Sequence, residues 1–598
     1  MVVDVLFPVA LPYCLSYLMA KEAAERAAVG VFVRAPIGNR TFLGIIVAIR
    51  HPSPETSEQR SDVGKLKYIV LVEDHLMAIS PKRIELWKWI SEYYLCTLGE
   101  VMKASLPVKP PRQPKGNANP APSTPLAAPP SLTPAQTQTL TSIQELMNLN
   151  GVILLKEVQG RTHIYLHLVR QILLSGKHVL LLTPEIGAGD QLFRQYKEYL
   201  EHRVCLLHSR LTPLQRQKVI QRIAQQQESI LVIGMRSALL LADMQNFGLI
   251  IIEDEHDFSY KQIDPAPRFH AKDLALYIGK HYQIPVILSS TCPSLESEYN
   301  MRSGKFKSIS PQTTPMSKPI VEIVDTLRLK KKKQMSGPFS LPLLQAIEQS
   351  VATGKQALFF SLRNAHLQDE LHRLLPDVRT ARLDESHHPE ALQGVITRFN
   401  SAEIDILFGV RTVYQSVDWG DVGLVAIFDA DRQLSRSDFR AHERAFQTLM
   451  TILGNIHTLL PDTPPRLILQ TEQPDHPFYD HVQSNNSEHF VLEQLNERKT
   501  YQYPPFVRLI ALRFKHPNPE EALHAAQHFK QELSTWGINP ITGPFTPWQS
   551  QETKWHTQLL WIHLSRQAHS EALKRKIYEK TTMFKFPKGL IQVDVDPY

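Results

Sequence analysis

Between residues 151 and 471 short apolar runs recur with helical stretches between them: GVILL, HVLLLTP, RVCLLH, SILVIG, GLIIIEDE and IPVILSS, then QALFF, RTARL, IDILFG, GLVAIFDA and RLILQT. Runs this continuously apolar read as strands buried on both faces. Strands separated by helical stretches cannot pair as hairpins, so the rhythm predicts parallel sheets wound with helices. Because the runs fall into two series, two α/β lobes are expected side by side.

The flanks have a different texture. Residues 1–107 alternate short apolar runs with turn signals, as in VGVFVRAPIGNRTFLGIIVAI, and read as a small β-rich domain followed by a helix around IELWKWISEYYL. The stretch KPPRQPKGNANPAPSTPLAAPP cannot build a core, so residues 108–131 are expected to be a Pro/Ala-rich extended linker. The lobes then occupy 132–318 and 319–488. Residues 489–598, with RLIALRF, TQLLWIHL and LIQVDVDP, read as an α+β domain. The fold class is therefore α/β multidomain.

A chain of 598 residues exceeds what one core supports, and 43% apolar with 21% charged content is ordinary for a globular protein. No apolar stretch is long enough to span a bilayer. The start, MVVDVLFPVALPYC, carries Asp4 and no basic segment before its apolar run, which argues against a secretory signal and predicts a cytoplasmic address. Cys14, Cys96, Cys205 and Cys292 contain no C-x-x-C pair, which excludes a cysteine-only zinc knuckle and disfavours a disulfide framework. A net charge of +7 and a pI near 9.0 favour polyanionic partners. The densest basic cluster is Arg328 with Lys330, Lys331, Lys332 and Lys333; it reads equally as a phosphate track and as a solvated loop.

Several segments, in order, carry a family resemblance: LTPAQ (132–136), TPEIG (183–187), HSRLTPLQR (208–216), GMRSAL (234–239), EDEHDFSYKQ (253–262), APRFHAKDLA (266–275), PSLES (293–297), DADRQLSRSDFRAHERAFQ (429–447), YPPFVRL (503–509) and the terminal VDVDP. Together they resemble the PriA family, or primosomal protein N′, a group of superfamily 2 DNA helicases that restart stalled replication forks. The resemblance implies two RecA-like helicase lobes, an N-terminal domain that holds a nascent 3′ end, and DNA forks, single-stranded DNA, primosome proteins and single-stranded-DNA-binding protein as partners. The matching 3′-end pocket positions are Leu15, Ser16 and Tyr17 with Gly38 and Lys67. Tyr17 would stack a base and Lys67 meet a phosphate, whereas Ser16 stands where the family has an acid; Leu15 and Tyr17 read equally as barrel core.

Against the family's nucleotide motifs the chain departs in three places. The phosphate loop, G-x-x-x-x-G-K-S/T in active relatives, reads LKEVQGRT at 155–162: Gly160 and Thr162 remain, but Leu155 and Val158 replace glycines and Arg161 replaces the lysine. The Asp-Glu-Glu-His order becomes Glu253, Asp254, Glu255, His256, which exchanges the first two acids. Where both arginine fingers belong, the chain has Thr451, Gly454, Asn455, His457 and Thr458, and a Lys-Gly-His segment is Gln415, Ser416 and Val417. ATP and Mg²⁺ are therefore doubtful ligands, although Gln136 matches the family's adenine-reading glutamine.

The cysteine-rich zinc segment and the winged-helix domain of active members are also missing, so zinc is not expected, and His387 and His388 beside Glu385 read as solvent-facing. The aromatic and basic stretch with Phe258, Tyr260, Lys261, Arg268, Phe269 and Lys272 is either a DNA-sensing loop or lobe packing. Arg508, Arg513, Lys515, Lys554 and Trp555 offer a further basic face. Three functions stay open: a DNA-binding primosome scaffold with lost ATPase, an active 3′-to-5′ helicase, and a protein-interaction module without DNA binding.

Overall fold

The computed structural model describes residues 1–50, 66–107, 110–112, 126–149, 151–156, 160–225, 227–310, 319–361, 366–383, 389–409, 417–435, 438–456, 464–547, 554–566 and 570–598. The first series of apolar runs forms a seven-stranded parallel sheet in the order Lys307–Ile309, Val152–Lys156, Val286–Ser290, Phe247–Ile252, His178–Leu182, Leu231–Gly234, Val204–Leu207. The second forms a six-stranded parallel sheet ordered Ile320–Asp325, Arg466–Thr471, Val422–Ile427, Gln356–Phe360, Ile406–Gly409, Thr380–Arg382. Both central strands His178–Leu182 and Gln356–Phe360 are buried at every position, as helices on two faces require.

The short runs KSI and IVEIVD join the two sheets as edge strands. IVEIVD is rich in β-branched residues, as a strand requires, whereas KSI carries little pattern and takes its register from its neighbour, which is tertiary context overriding local propensity. Residues 1–107 carry a five-stranded antiparallel sheet ordered Leu15–Leu18, Val2–Leu6, Arg40–Arg50, Phe32–Ile37, Leu71–Val72. The last domain pairs Ile541–Phe545, His556–Ser565, Val507–His516 and Leu590–Val595, with helices Pro519–Thr535 and Ser570–Met583 completing a β-α-β-β-α-β unit.

Polar ties hold the domains to one another. Arg83, buried in helix Pro81–Tyr94, donates to the carbonyls of Ser105, Leu240 and Leu241 at 2.9, 3.0 and 3.2 Å, so one guanidinium serves both the N-terminal domain and the first lobe. Trp89 stacks on Tyr277 with centroids 3.7 Å apart. Most of the expected linker lies outside the described residues, but Arg112 is fixed: its N–H donates to Gln221 Oε1 at 3.0 Å and its carbonyl accepts from Gln221 Nε2 at 2.8 Å.

The lobes meet through buried charges. Glu296 of the first lobe accepts from Arg440 at 2.8 Å and from Arg498 at 3.3 Å. Glu443 takes Arg498 at 2.5 Å and the Leu295 N–H at 2.8 Å. Burial alone would raise the Glu296 carboxyl, but Arg440, Arg498 and Lys272 outweigh it and hold it well below the usual carboxylate range.

Removing either type of tie has a stated cost. Arg83→Met orphans three carbonyls and is expected to lose about 2–3 kcal/mol, read as an earlier first melting transition and faster proteolysis between the N-terminal domain and the first lobe. Glu296→Gln leaves two buried guanidiniums short of an anion and is expected to cost about 3 kcal/mol near neutral pH. Because the folded carboxyl is depressed, that stabilisation is complete above the unfolded value and is lost only as pH falls through the folded one. Melting curves of wild type and variant should therefore stay apart down to about pH 4 and converge only in stronger acid; convergence already at about pH 5 would contradict the latch.

Candidate nucleotide cleft and nucleic-acid surfaces

Parallel sheets gather functional groups at the carboxyl ends of their strands. Here Val152–Lys156 leads towards Gly160 and helix Arg161–Leu174, while Phe247–Ile252 delivers Glu253, Asp254, Glu255 and His256 beside it. Gly160 has φ +63°, and a Cβ there would lie 2.3 Å from Gln136 Nε2. The left-handed backbone is what favours glycine there. Gln136 Oε1 accepts the Thr133 N–H at 2.9 Å in the capping box that starts helix Pro134–Met147.

Arg161 lies across the acids. Its Nε is 2.8 Å from Glu253 Oε2, and its terminal nitrogen is 3.2 Å from Asp254 Oδ1. Burial would lower the guanidinium, but Glu253 and Asp254 reverse this and hold it above its ordinary value. Burial raises the Glu253 carboxyl, against the opposing pull of Arg161. Asp254 sits at φ +46°, a left-handed conformation that a non-glycine residue keeps only when its surroundings enforce it.

Glu255 is fully buried and belongs to a separate network: Lys272 Nζ lies 2.8 Å away, and Ser294 donates its N–H at 2.7 Å and its hydroxyl at 3.0 Å. Burial opposes ionisation, yet Lys272 keeps this carboxyl below its ordinary value. His256 Nδ1 lies 2.7 Å from Ser290 Oγ, and its carbonyl accepts from the Tyr598 hydroxyl at 2.9 Å. Thr162 contributes its carbonyl to the Tyr196 hydroxyl at 2.7 Å.

Across the cleft, helix Ala441–Asn455 places Thr451 Oγ1 3.4 Å from Thr291 Oγ1, and a Cβ built at Gly454 would lie 3.4 Å from the Thr291 side chain. The positions matched to the family's two arginines are Asn455, at the end of this helix, and Thr458. Val158, Gln415, Ser416, His457 and Thr458 lie outside the described residues, as do Glu385, His387 and His388. A Mg²⁺–nucleotide group needs carboxylate oxygens free to face it. Arg161 lies over one oxygen each of Glu253 and Asp254, Glu255 is held by Lys272, and Glu253 Oε1 is buried without a partner among the described residues, so the acids as placed do not fit that group.

The expected DNA contacts separate into exposed and internal groups. Lys67 is exposed and donates to the Gly38 carbonyl at 3.1 Å, so these two pocket positions do come together. Tyr17 stands nearby but is buried, with its hydroxyl on the Pro36 carbonyl at 2.9 Å and its ring edge-on to Phe7, which is the barrel-core reading. Ser16 Oγ donates to Asp4 Oδ1 on the neighbouring strand at 2.7 Å, and Arg50 Nε donates to the other oxygen of Asp4 at 2.9 Å.

In the aromatic and basic stretch, Phe258 is 46% exposed, but Tyr260, Lys261, Phe269 and Lys272 are buried. Tyr260 donates to the Glu253 and Leu182 carbonyls at 2.5 and 3.1 Å. Lys261 is spent on Asp594 and on the carbonyls of Arg268 and Val595, all at 2.7–2.8 Å. Arg268 pairs with Asp264 at 2.7 Å. Through this conformation Lys261 and Arg268 tie the first lobe to the last domain, Tyr260 and Lys272 bond within the lobe, and a DNA contact through the buried members requires the loop to rearrange. Arg508 and Arg513 similarly pair with Asp596 and Asp594, whereas Lys554 is exposed. Arg328, Lys331, Lys332 and Lys333 are exposed on and after helix Thr326–Lys331.

Sequence reasoning missed the buried assembly of Glu296, Arg440, Glu443, Arg498 and Tyr598. Arg440 lies 4.5 Å from the Tyr598 ring centroid and 4.8 Å from that of Phe439, which stacks on Tyr503 at 4.5 Å. The alternation of acids and arginines in DFRAHERAFQ was the available signal, but their partners are remote in the chain.

Comparison with known proteins places names on these parts. Residues 4–107 match the family model for a 3′ DNA-binding domain of PriA, 133–299 a DEAD/DEAH box helicase, 341–446 a helicase conserved C-terminal domain, and 499–598 the primosomal protein N C-terminal domain. The replication restart protein PriA of Rickettsia felis is 26% identical, over 88% of this chain and 89% of that protein. Those of Haemophilus influenzae and Helicobacter pylori are 28% and 27% identical, covering 73% and 85% of this chain and 68% and 86% of theirs. A structure of RecG bound to a three-way DNA junction aligns with a TM-score of 0.42 at 16% identity, over 62% of this chain and 47% of its own. With PriA-specific domains at both ends and two helicase domains in the expected order between them, the chain belongs to the PriA family.

Proposed function

We propose that this protein acts in replication restart as a platform that binds branched and single-stranded DNA and supports primosome assembly, with its ATP cleft closed on itself. The observation that carries the reading is Arg161: one guanidinium binds one oxygen each of Glu253 and Asp254, the acids that would otherwise hold and use a metal ion. Asn455 and Thr458, which stand where active relatives carry arginines, bring no cation to stabilise a developing phosphoryl charge. DNA binding draws support from the matched 3′ DNA-binding domain and from exposed cations at Lys67, Lys554 and the Arg328 to Lys333 cluster. Membership of the family is what nominates forks, nascent 3′ ends, single-stranded-DNA-binding protein and primosome proteins as partners.

Two measurements test this. DNA-stimulated ATP hydrolysis is expected at least roughly a thousandfold below that of a relative bearing both arginine fingers. Turnover that is clear in wild type and abolished by Arg161→Ala would reverse the reading in favour of an active helicase. Fluorescence anisotropy on forked and single-stranded DNA should weaken steeply with salt, by a slope of about 0.7 per phosphate contacted on single strands. Weak, salt-insensitive binding would remove the DNA role and leave a protein-interaction module. Arg161 also makes a prediction about stability: Arg161→Met strands two acids and is expected to cost about 3 kcal/mol at neutral pH. Since burial already raises Glu253, acidification protonates it early, and the deficit in melting experiments should shrink as pH falls rather than grow.

A further inference from the structure

On the outer side of the second lobe two short-range features of the chain converge. Helix Pro477–Gln483 ends with His481, and Asn486 caps the following helix, Ser487–Thr500, by accepting the His489 N–H at 3.1 Å. The capped first turn therefore fixes where His489 starts, and Glu493 lies four residues on, along the same helix face. Three side chains meet: one nitrogen or oxygen from each of His481, His489 and Glu493 lies within 4.8 Å of the others.

The pairwise distances are more informative than the cluster. His481 Nε2 is 2.8 Å from Glu493 Oε2, while the Nδ1 atoms of the two histidines face each other at 3.5 Å. In the tautomer that donates its Nε2 proton to Glu493, His481 Nδ1 offers its lone pair. Its separation from His489 Nδ1 exceeds the about 2.9–3.0 Å of a good nitrogen-donated hydrogen bond. It is close to the roughly 3.3–3.4 Å between two nitrogens that each sit about 2.0–2.1 Å from one tetrahedral ion. A carboxylate on the far nitrogen of a ligating imidazole is the usual device for fixing tautomer and ring orientation at such sites.

We propose that His481 and His489 bind a divalent transition-metal ion of the imidazole-preferring class, zinc in particular, through their Nδ1 atoms, with Glu493 as the positioning residue behind His481. His481 is largely buried, whereas His489 is exposed and the Glu493 side chain is 54% exposed, so the ion has a solvent path and water completes its coordination. The absence of a cysteine-rich segment does not bear on this site, because its ligands are imidazoles. Its consequence is mechanical. The same helix carries Arg498 one and a half turns beyond Glu493, and Arg498 holds Glu443 and Glu296 at the lobe junction. An ion joining the two helices would fix the rod on which that latch is mounted, independently of whether the chain binds DNA or ATP.

The test uses the full chain, stripped with a chelator and titrated calorimetrically with Zn²⁺, with Co²⁺ absorption as a reporter of tetrahedral nitrogen ligation. One equivalent is expected, together with an upward shift in melting temperature. His489→Ala, at an exposed position, should leave the metal-free melting unchanged yet weaken binding about tenfold or more and abolish the zinc-induced shift; Glu493→Gln should weaken it by a smaller factor. No binding by wild type, equal binding by wild type and His489→Ala, or equal competition by Mg²⁺ would each overturn the proposal.

Discussion

The arrangement of the two lobes depends on four charges removed from water. Glu296 and Glu443 together face Arg440 and Arg498, and the residues come from three separate stretches of chain. Taking ions out of water costs several kcal/mol each, so such a group persists only if every member is answered. Once assembled it fixes geometry more than it adds stability: a lobe rotated by a few ångströms would strand a charge. The aromatic collar of Phe439, Tyr503 and Tyr598 around the arginines reinforces this by keeping water away from the pairs.

The same logic of internal neutralisation recurs along the first lobe. Arg161 answers Glu253 and Asp254, Lys272 answers Glu255, and Lys261 answers Asp594. Groups that a motor would present to nucleotide or DNA are here turned towards each other.

The lobes were legible in the sequence because buried parallel strands leave continuous apolar runs such as HVLLL and GLIII, and no other element does so as clearly. Edge strands were harder: KSI carries too little pattern, and only pairing with Val152–Lys156 makes it a strand. At the candidate site, the residue changes at 161, 253 and 254 could be read directly, but their meeting could not. Nothing in the spacing of Arg161 and Glu253 states that one guanidinium will span both acids. Tyr17, Tyr260, Lys261 and Lys272 show the complementary limit, since residue type gives no sign of burial when a long side chain has an internal partner. His489 and Glu493 sit at a readable four-residue interval, yet His481 joins them only through the turn between two helices.

Arg161 also bears on how such a chain can change over generations. A guanidinium shared by two acids makes the three positions epistatic: the effect of each substitution depends on the identity of the other two. Restoring lysine at 161 alone would leave the exchanged acids poorly matched, and restoring the acid order alone would move both carboxylates relative to a fixed fork. The bridge therefore ties positions 161, 253 and 254 into one unit, in which a change at any of them is felt through the other two.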